Sequence, residues 1–150
     1  MIEQEYLAFA AAFQAEHREM RRLVQVLRHA MGKEGGWSKE SAQEALKAFE
    51  ALKAHLKEHF AQEEEGGYLE QALAVAPRYS DEAKLLLKQH GLMTRQVAHA
   101  VETARRAVDE PGAWAALAAE TRELLQKLVE HETAENRIVQ KALNTGIEAE

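Results

Sequence analysis

Six side chains in this sequence have the chemistry of metal ligands, and they fall into two matching sets. His59 and Glu63 stand four apart, and His131 and Glu135 repeat them 72 residues later, with Leu52 and Leu56 before the first pair and Leu124 and Leu128 before the second. A lone histidine precedes each pair, His17 by 42 residues and His90 by 41, and Met and Val follow each at the same offsets (Met20 and Val24; Met93 and Val97). Four imidazoles and two carboxylates without sulfur suit iron, manganese or zinc.

The His-x-x-x-acid spacing is weak by itself. Seven histidines among 25 acids and 150 residues would produce about one such pair by chance. Specificity comes from position. A histidine and a glutamate four apart project from one side of a helix, and both pairs continue an apolar stripe whose members recur at alternating steps of three and four, the seam of a helix bundle. The stripes read Phe13, His17, Met20, Val24, Leu27, Met31; Ala45, Phe49, Leu52, Leu56, His59, Glu63; Leu86, His90, Met93, Val97, Ala104; and Leu117, Leu124, Leu128, His131, Glu135, Ile138, Ala142. A lone histidine on such a seam is usually a hydrogen-bonded core residue. Two inward glutamates with no seam lysine or arginine are different, because each would carry a burial penalty of several kcal/mol. Metal cations remove that penalty. One tetrahedral ion needs only four ligands, so six from four helices favour two ions, with the glutamates bridging and the histidines shared out.

The elements that must position these residues are helices. Ala, Leu, Glu, Lys, Gln and Arg dominate and aromatic residues make up only 6%, a composition that favours helix throughout. Breaks at Gly32 to Ser38, Gly66 to Ser80 and Asp109 to Gly112 leave four long segments. The first runs from about Glu3 to Met31. The second starts after Ser38 as N-cap and stops near Gly66–Gly67. Ser80 caps the third, with Asp81 and Glu82 in its first turn, and the fourth begins near Pro111 and runs to Gly146. Tyr68 to Ala76 reads as a short extra helical segment ended by Pro77. Short connections make successive helices antiparallel. The expected fold is all-α: an up-down-up-down antiparallel four-helix bundle with a short extra helical segment between helices 2 and 3, forming one domain over residues 1–150.

Composition removes several functions. The absence of cysteine rules out thiolate zinc sites, iron–sulfur ligation and disulfides. A formal charge of −6 with bases scattered among acids argues against nucleic acid as a partner. No stretch approaches the length of a membrane span and the N-terminus lacks the pattern of an export signal, so a cytoplasmic location is expected.

On these residues the chain resembles the hemerythrin-like family, the HHE cation-binding domain, in which a lone His and a His-x-x-x-Glu are followed by a second His and a second His-x-x-x-Glu or Asp on four helices. His17, His59 with Glu63, His90, and His131 with Glu135 match nearly end to end. The resemblance implies a non-haem centre of two iron ions, with manganese or zinc as alternatives. Glu63, Glu135 and an oxo or hydroxo group would bridge it, with His17 and His59 on one iron and His90 and His131 on the other. It further implies a small diatomic ligand, O2 or NO, or a role in handling iron; the alternative is a di-iron redox enzyme or an iron donor for iron–sulfur cluster repair. Oxygen-carrying members have a further histidine one turn after that of the third helix, and here that position is Thr94. An extra open position at the metal is therefore expected from Thr94.

His55 stands one turn before His59 and flanks the same seam, with Lys127 at the matching place in the other half. It is either a further metal ligand or a half-exposed neighbour of the site, and the part-solvated flanks of a bundle seam favour the second. His29 and His99 fall about 200° from the seam and belong to the surface. Of the run Glu63-Glu64-Glu65, only Glu63 should face inward. His131-Glu132 opens like a zinc-protease helix, but Glu135 holds the slot that chemistry gives to histidine. The four methionines read as core filler, and Gly66–Gly67 as a helix stop without a phosphate-loop pattern.

Overall fold

The computed structural model describes residues 2–32, 36–65, 70, 73, 74 and 76–148, with residues 2–10, 12, 13, 143 and 145–148 described by backbone alone. Four helices carry the chain: α1 (Ile2–Met31), α2 (Lys39–Glu64), α3 (Ser80–Asp109) and α4 (Ala113–Glu148). A 3-10 turn, Pro77–Tyr79, precedes α3. No strand occurs among the described residues. Within the expected extra segment Glu70, Leu73 and Ala74 are helical; its other positions, Ala76 apart, and Gly66–Gly67 lie outside the described residues.

Each helix packs on its two neighbours in a ring: α1 on α2 and α4, α3 on α2 and α4. Trp37 Nε1, just before α2, donates to the carbonyl of Ala107 near the end of α3 at 2.6 Å. At the other end Arg137 of α4 pairs with Glu82 in the first turn of α3 at 2.5 Å. These contacts make α3 antiparallel to both α2 and α4, and the short connection over residues 32–38 returns the chain from α1 into α2, as in an up-down-up-down arrangement.

Local chemistry explains most of the ends. Ser38 is extended and its side chain accepts from the Ser41 N–H at 2.9 Å, satisfying a donor that the first turn of α2 leaves unpaired. Two starts differ from expectation. Ser80 is the first residue of α3, with no side-chain cap, because the helix grows directly out of the 3-10 turn and the Ser80 N–H bonds to the carbonyl of Pro77. Pro111 lies in a turn rather than at a first helical position; the N–H groups of Ala113 and Trp114 bond back to Glu110 and Pro111, and α4 begins at Ala113.

The seams point inward. Every stripe residue described by its side chain is buried except the partly buried Met31, and the side chain of Phe13 is outside the described set. Leu27, Phe49, Leu52, Leu56, Leu117 and Leu124 anchor a long apolar core towards the α1–α2 and α3–α4 connections. A second cluster of Leu86 and Ile138, flanked by Tyr79, Leu87 and Ala134, lies towards the other end. The histidines and glutamates occupy the seam positions between the two. A polar layer thus sits between two apolar ones.

Candidate metal centre

Each helix delivers its polar side chains by the same register that buries its leucines. His17, His59, Glu63, His90, His131 and Glu135 are all nearly inaccessible, at 1–4% exposure, and they converge on one point. Two groups have donor atoms close enough to hold an ion: His17, His59 and Glu135, and Glu63, His90 and His131. Both are two histidines and one carboxylate, a set that leaves positions open on non-haem iron.

The carboxylates tie the groups together. Glu63 Oε1 lies 2.5 Å from His59 Nε2 in one group, and its Oε2 lies 2.9 Å from His90 Nε2 in the other. Glu135 mirrors this, with Oε1 2.9 Å from His131 Nε2 and Oε2 3.7 Å from His59 Nε2 and 3.9 Å from His17 Nε2. Each glutamate therefore turns one oxygen to each group. The Nε2 atoms of His90 and His131 are 3.2 Å apart.

The outer edges of the rings are occupied as well. Glu16 Oε1 accepts from His59 Nδ1 at 3.2 Å, Glu64 Oε1 from His90 Nδ1 at 3.2 Å, and Gln89 Oε1 from His131 Nδ1 at 2.9 Å. His17 Nδ1 faces Glu132 Oε1 at 3.2 Å, and Arg21 binds that same oxygen at 3.0 Å. An Nδ1 proton directed outward leaves the Nε2 lone pair directed inward, the tautomer a metal requires. Those lone pairs then confront carboxylate oxygens. Both oxygens of Glu63 and Oε2 of Glu135 have no hydrogen-bond partner among the described residues. Such a set fits a cation at its centre.

Without metal, protons take that place. Burial pulls His59 down, but Glu135 and Glu63 carry it up to about 10. Glu135 is pushed up to about 8 by burial and by the neighbouring Glu63. Burial would raise Glu63 too, yet its close approach to Glu135, His59 and His90 holds it well below the usual carboxylate range. His131 falls to about 4 through burial, its positive neighbours adding to that effect against the pull of Glu63 and Glu132.

A cavity of about 10 Å³ opens among Met20, Phe60, Leu128 and the site residues, room for a molecule the size of water. The model of the hemerythrin HHE cation-binding domain family matches residues 8–143. The chain belongs to this family. Comparison with curated proteins gave no match, and neither did comparison with solved structures. Membership in the HHE family makes this a cation-binding domain, with the two His/Glu groups as its candidate sites. No helix among the described residues is long and apolar enough to cross a membrane.

Some expectations for this HHE domain need correction. Thr94 is exposed and supplies no donor to either group, so His90 is the one ligand candidate from α3 in these groups; the inward neighbours of His90 along α3 are Leu86 and Met93, both buried. Glu64 is half-exposed yet holds His90. His55 lies outside both groups: its Nε2 is 3.1 Å from Glu16 Oε1, and its ring stacks beside His59 at 6.1 Å. His29 and His99 are exposed, and His99 pairs with Glu120 at 2.7 Å. Sequence reasoning missed Glu16, Gln89, Glu132 and Phe60. A signal existed: Glu16 and Gln89 directly precede the two lone histidines.

Proposed function

We propose that this HHE domain holds two iron ions, one on His17, His59 and Glu135 and the other on Glu63, His90 and His131, and that it binds or senses O2 or NO or handles iron. The observation that carries this reading is the pair of glutamates, each with one oxygen towards each group. Nitrogen and oxygen donors without sulfur, two histidines to one carboxylate, suit non-haem iron, and manganese or zinc satisfy the same donors less selectively. Bound iron supplies a change of oxidation state and open positions for a diatomic ligand. The protein supplies the rest. Glu16, Glu64, Gln89 and Glu132 fix the ring orientations, while Met20, Phe60 and Leu128 line the small space beside the centre and keep bulk water from it. Burial of all six side chains favours retention of the ions over their delivery elsewhere.

Metal analysis of protein purified without chelator tests the centre: two ions per chain, chiefly iron, are expected, with oxo-to-iron charge transfer in the absorption spectrum of the oxidised protein. Finding no iron, manganese or zinc near that stoichiometry would overturn the reading. For the ligand, the reduced iron-loaded protein should change its visible spectrum on exposure to NO or O2. A spectrum indifferent to both gases would remove the diatomic role.

A further inference from the structure

The four histidines are not held alike, although the chain halves are related by a shift of 72 or 73 residues. Glu16, preceding His17, accepts from His59 Nδ1 at 3.2 Å; Gln89, preceding His90, accepts from His131 Nδ1 at 2.9 Å. One acceptor is an anion and the other a neutral amide. The remaining two histidines diverge further. His17 faces Glu132, a largely buried carboxylate at 17% exposure. The residue of α2 that matches Glu132 is Phe60, and its ring lies flat on His90 with centroids 3.9 Å apart and planes 9° apart. The acceptor that His90 does have, Glu64, is 50% exposed, so water screens its charge.

Resting on the two-ion reading above, we propose that the two metal positions are unequal: the one on His17, His59 and Glu135 fills first and holds its ion more tightly, and Gln89 and Phe60 are what weaken the other. A carboxylate that accepts from Nδ1 makes a charge-assisted bond and raises the electron density that Nε2 offers to a metal. Behind the first position stand Glu16, which accepts from His59 Nδ1, and Glu132, whose Oε1 faces His17 Nδ1 at 3.2 Å, at 19% and 17% exposure. Behind the second stand an amide, an apolar ring and a carboxylate half in water. Arg21 offsets part of the charge on Glu132, but it is itself 52% exposed and its field is screened accordingly. Changes to partners of this kind shift metal affinity by about 10- to 100-fold, which sets the expected gap. Gln89, Glu16 and Glu132 are thus positioning residues that act through the histidines.

Zinc(II) is the probe, since it has no redox chemistry to complicate the count. Metal-free full-length protein titrated with zinc against a chromophoric competitor should show two constants separated by about tenfold or more. Crystals grown with one equivalent should show anomalous scattering at His17 and His59. Gln89→Glu should tighten the weaker constant and narrow the gap, and Glu16→Gln should weaken the stronger one. Two indistinguishable constants, or scattering first at His90 and His131, would overturn the inequality while leaving the two-ion centre intact. A gap unchanged in Gln89→Glu would overturn the assignment to Gln89. Failure to take up zinc at all would remove the centre itself.

Discussion

Glu63 and Glu135 are the residues on which both groups depend, since each turns an oxygen to both. Glu63→Ala or Glu135→Ala should each abolish stoichiometric metal binding, leaving less than one ion per chain by elemental analysis. Circular dichroism should remain that of the parent, because an alanine in a helix costs nothing in propensity. Protonation gives a second test. In the metal-free protein Glu135 and His59 titrate at about 8 and about 10, so near neutral pH both must release protons before they can bind a cation. Uptake is therefore accompanied by proton release, and apparent affinity should rise by about tenfold or more per pH unit between pH 6 and 8 in zinc competition. Both values lie above the ordinary 4.5 and 6.5. Their contribution to stability is complete below those pH values and is lost as pH rises through about 8 and about 10, so the metal-free protein should melt lower at pH 9 than at pH 6.5. The six inward residues were legible because a seam has a period and a ligand on it breaks the apolar pattern. Their outer partners were not. Glu16, Gln89 and Glu132 sit about 100° from the ligand beside them, where acids and amides are ordinary surface residues, and only packing shows which of them turns towards a histidine on the neighbouring helix.

At the scale of the helix, the interiors followed from periodicity and the ends from local chemistry that was partly ambiguous. Ser38 was readable because a serine before a helical run with no competing turn has one good use for its hydroxyl. Ser38→Ala should lower stability by about 1 kcal/mol, and at most about 2, by urea denaturation. Ser80 looked equivalent, but Pro77 starts a turn three residues earlier and the backbone enters α3 already wound. Pro111 is compatible with a turn as readily as with a first helical position, and the turn prevails. In the long apolar core, Phe49 is fully buried, and Phe49→Ala should destabilise the fold by about 3–5 kcal/mol in the same measurement. That loss should appear equally with and without metal, because the site lies further along the seam, at His59 and Glu63.

For the molecule as a whole, the bundle and its centre support each other, because a cation that binds only the folded chain stabilises it by mass action. Metal at about a thousandfold over its dissociation constant contributes about 4 kcal/mol, so adding chelator should lower the melting temperature by several degrees in calorimetry, and Glu63→Ala should make the protein insensitive to chelator. The ring of helices was legible from four stripes and three breaks, and the repeat between halves pointed to its pseudo-symmetry. What the repeat did not disclose is how the halves share their carboxylates. His17 and His59 come from the first half of the chain, but the glutamate grouped with them, Glu135, comes from the second; His90 and His131 come from the second, and their Glu63 from the first. Each carboxylate thus laces its own half of the chain to the other. A chain cleaved between Glu65 and Pro77 would then be two fragments that its ions would clasp together and a chelator would let part.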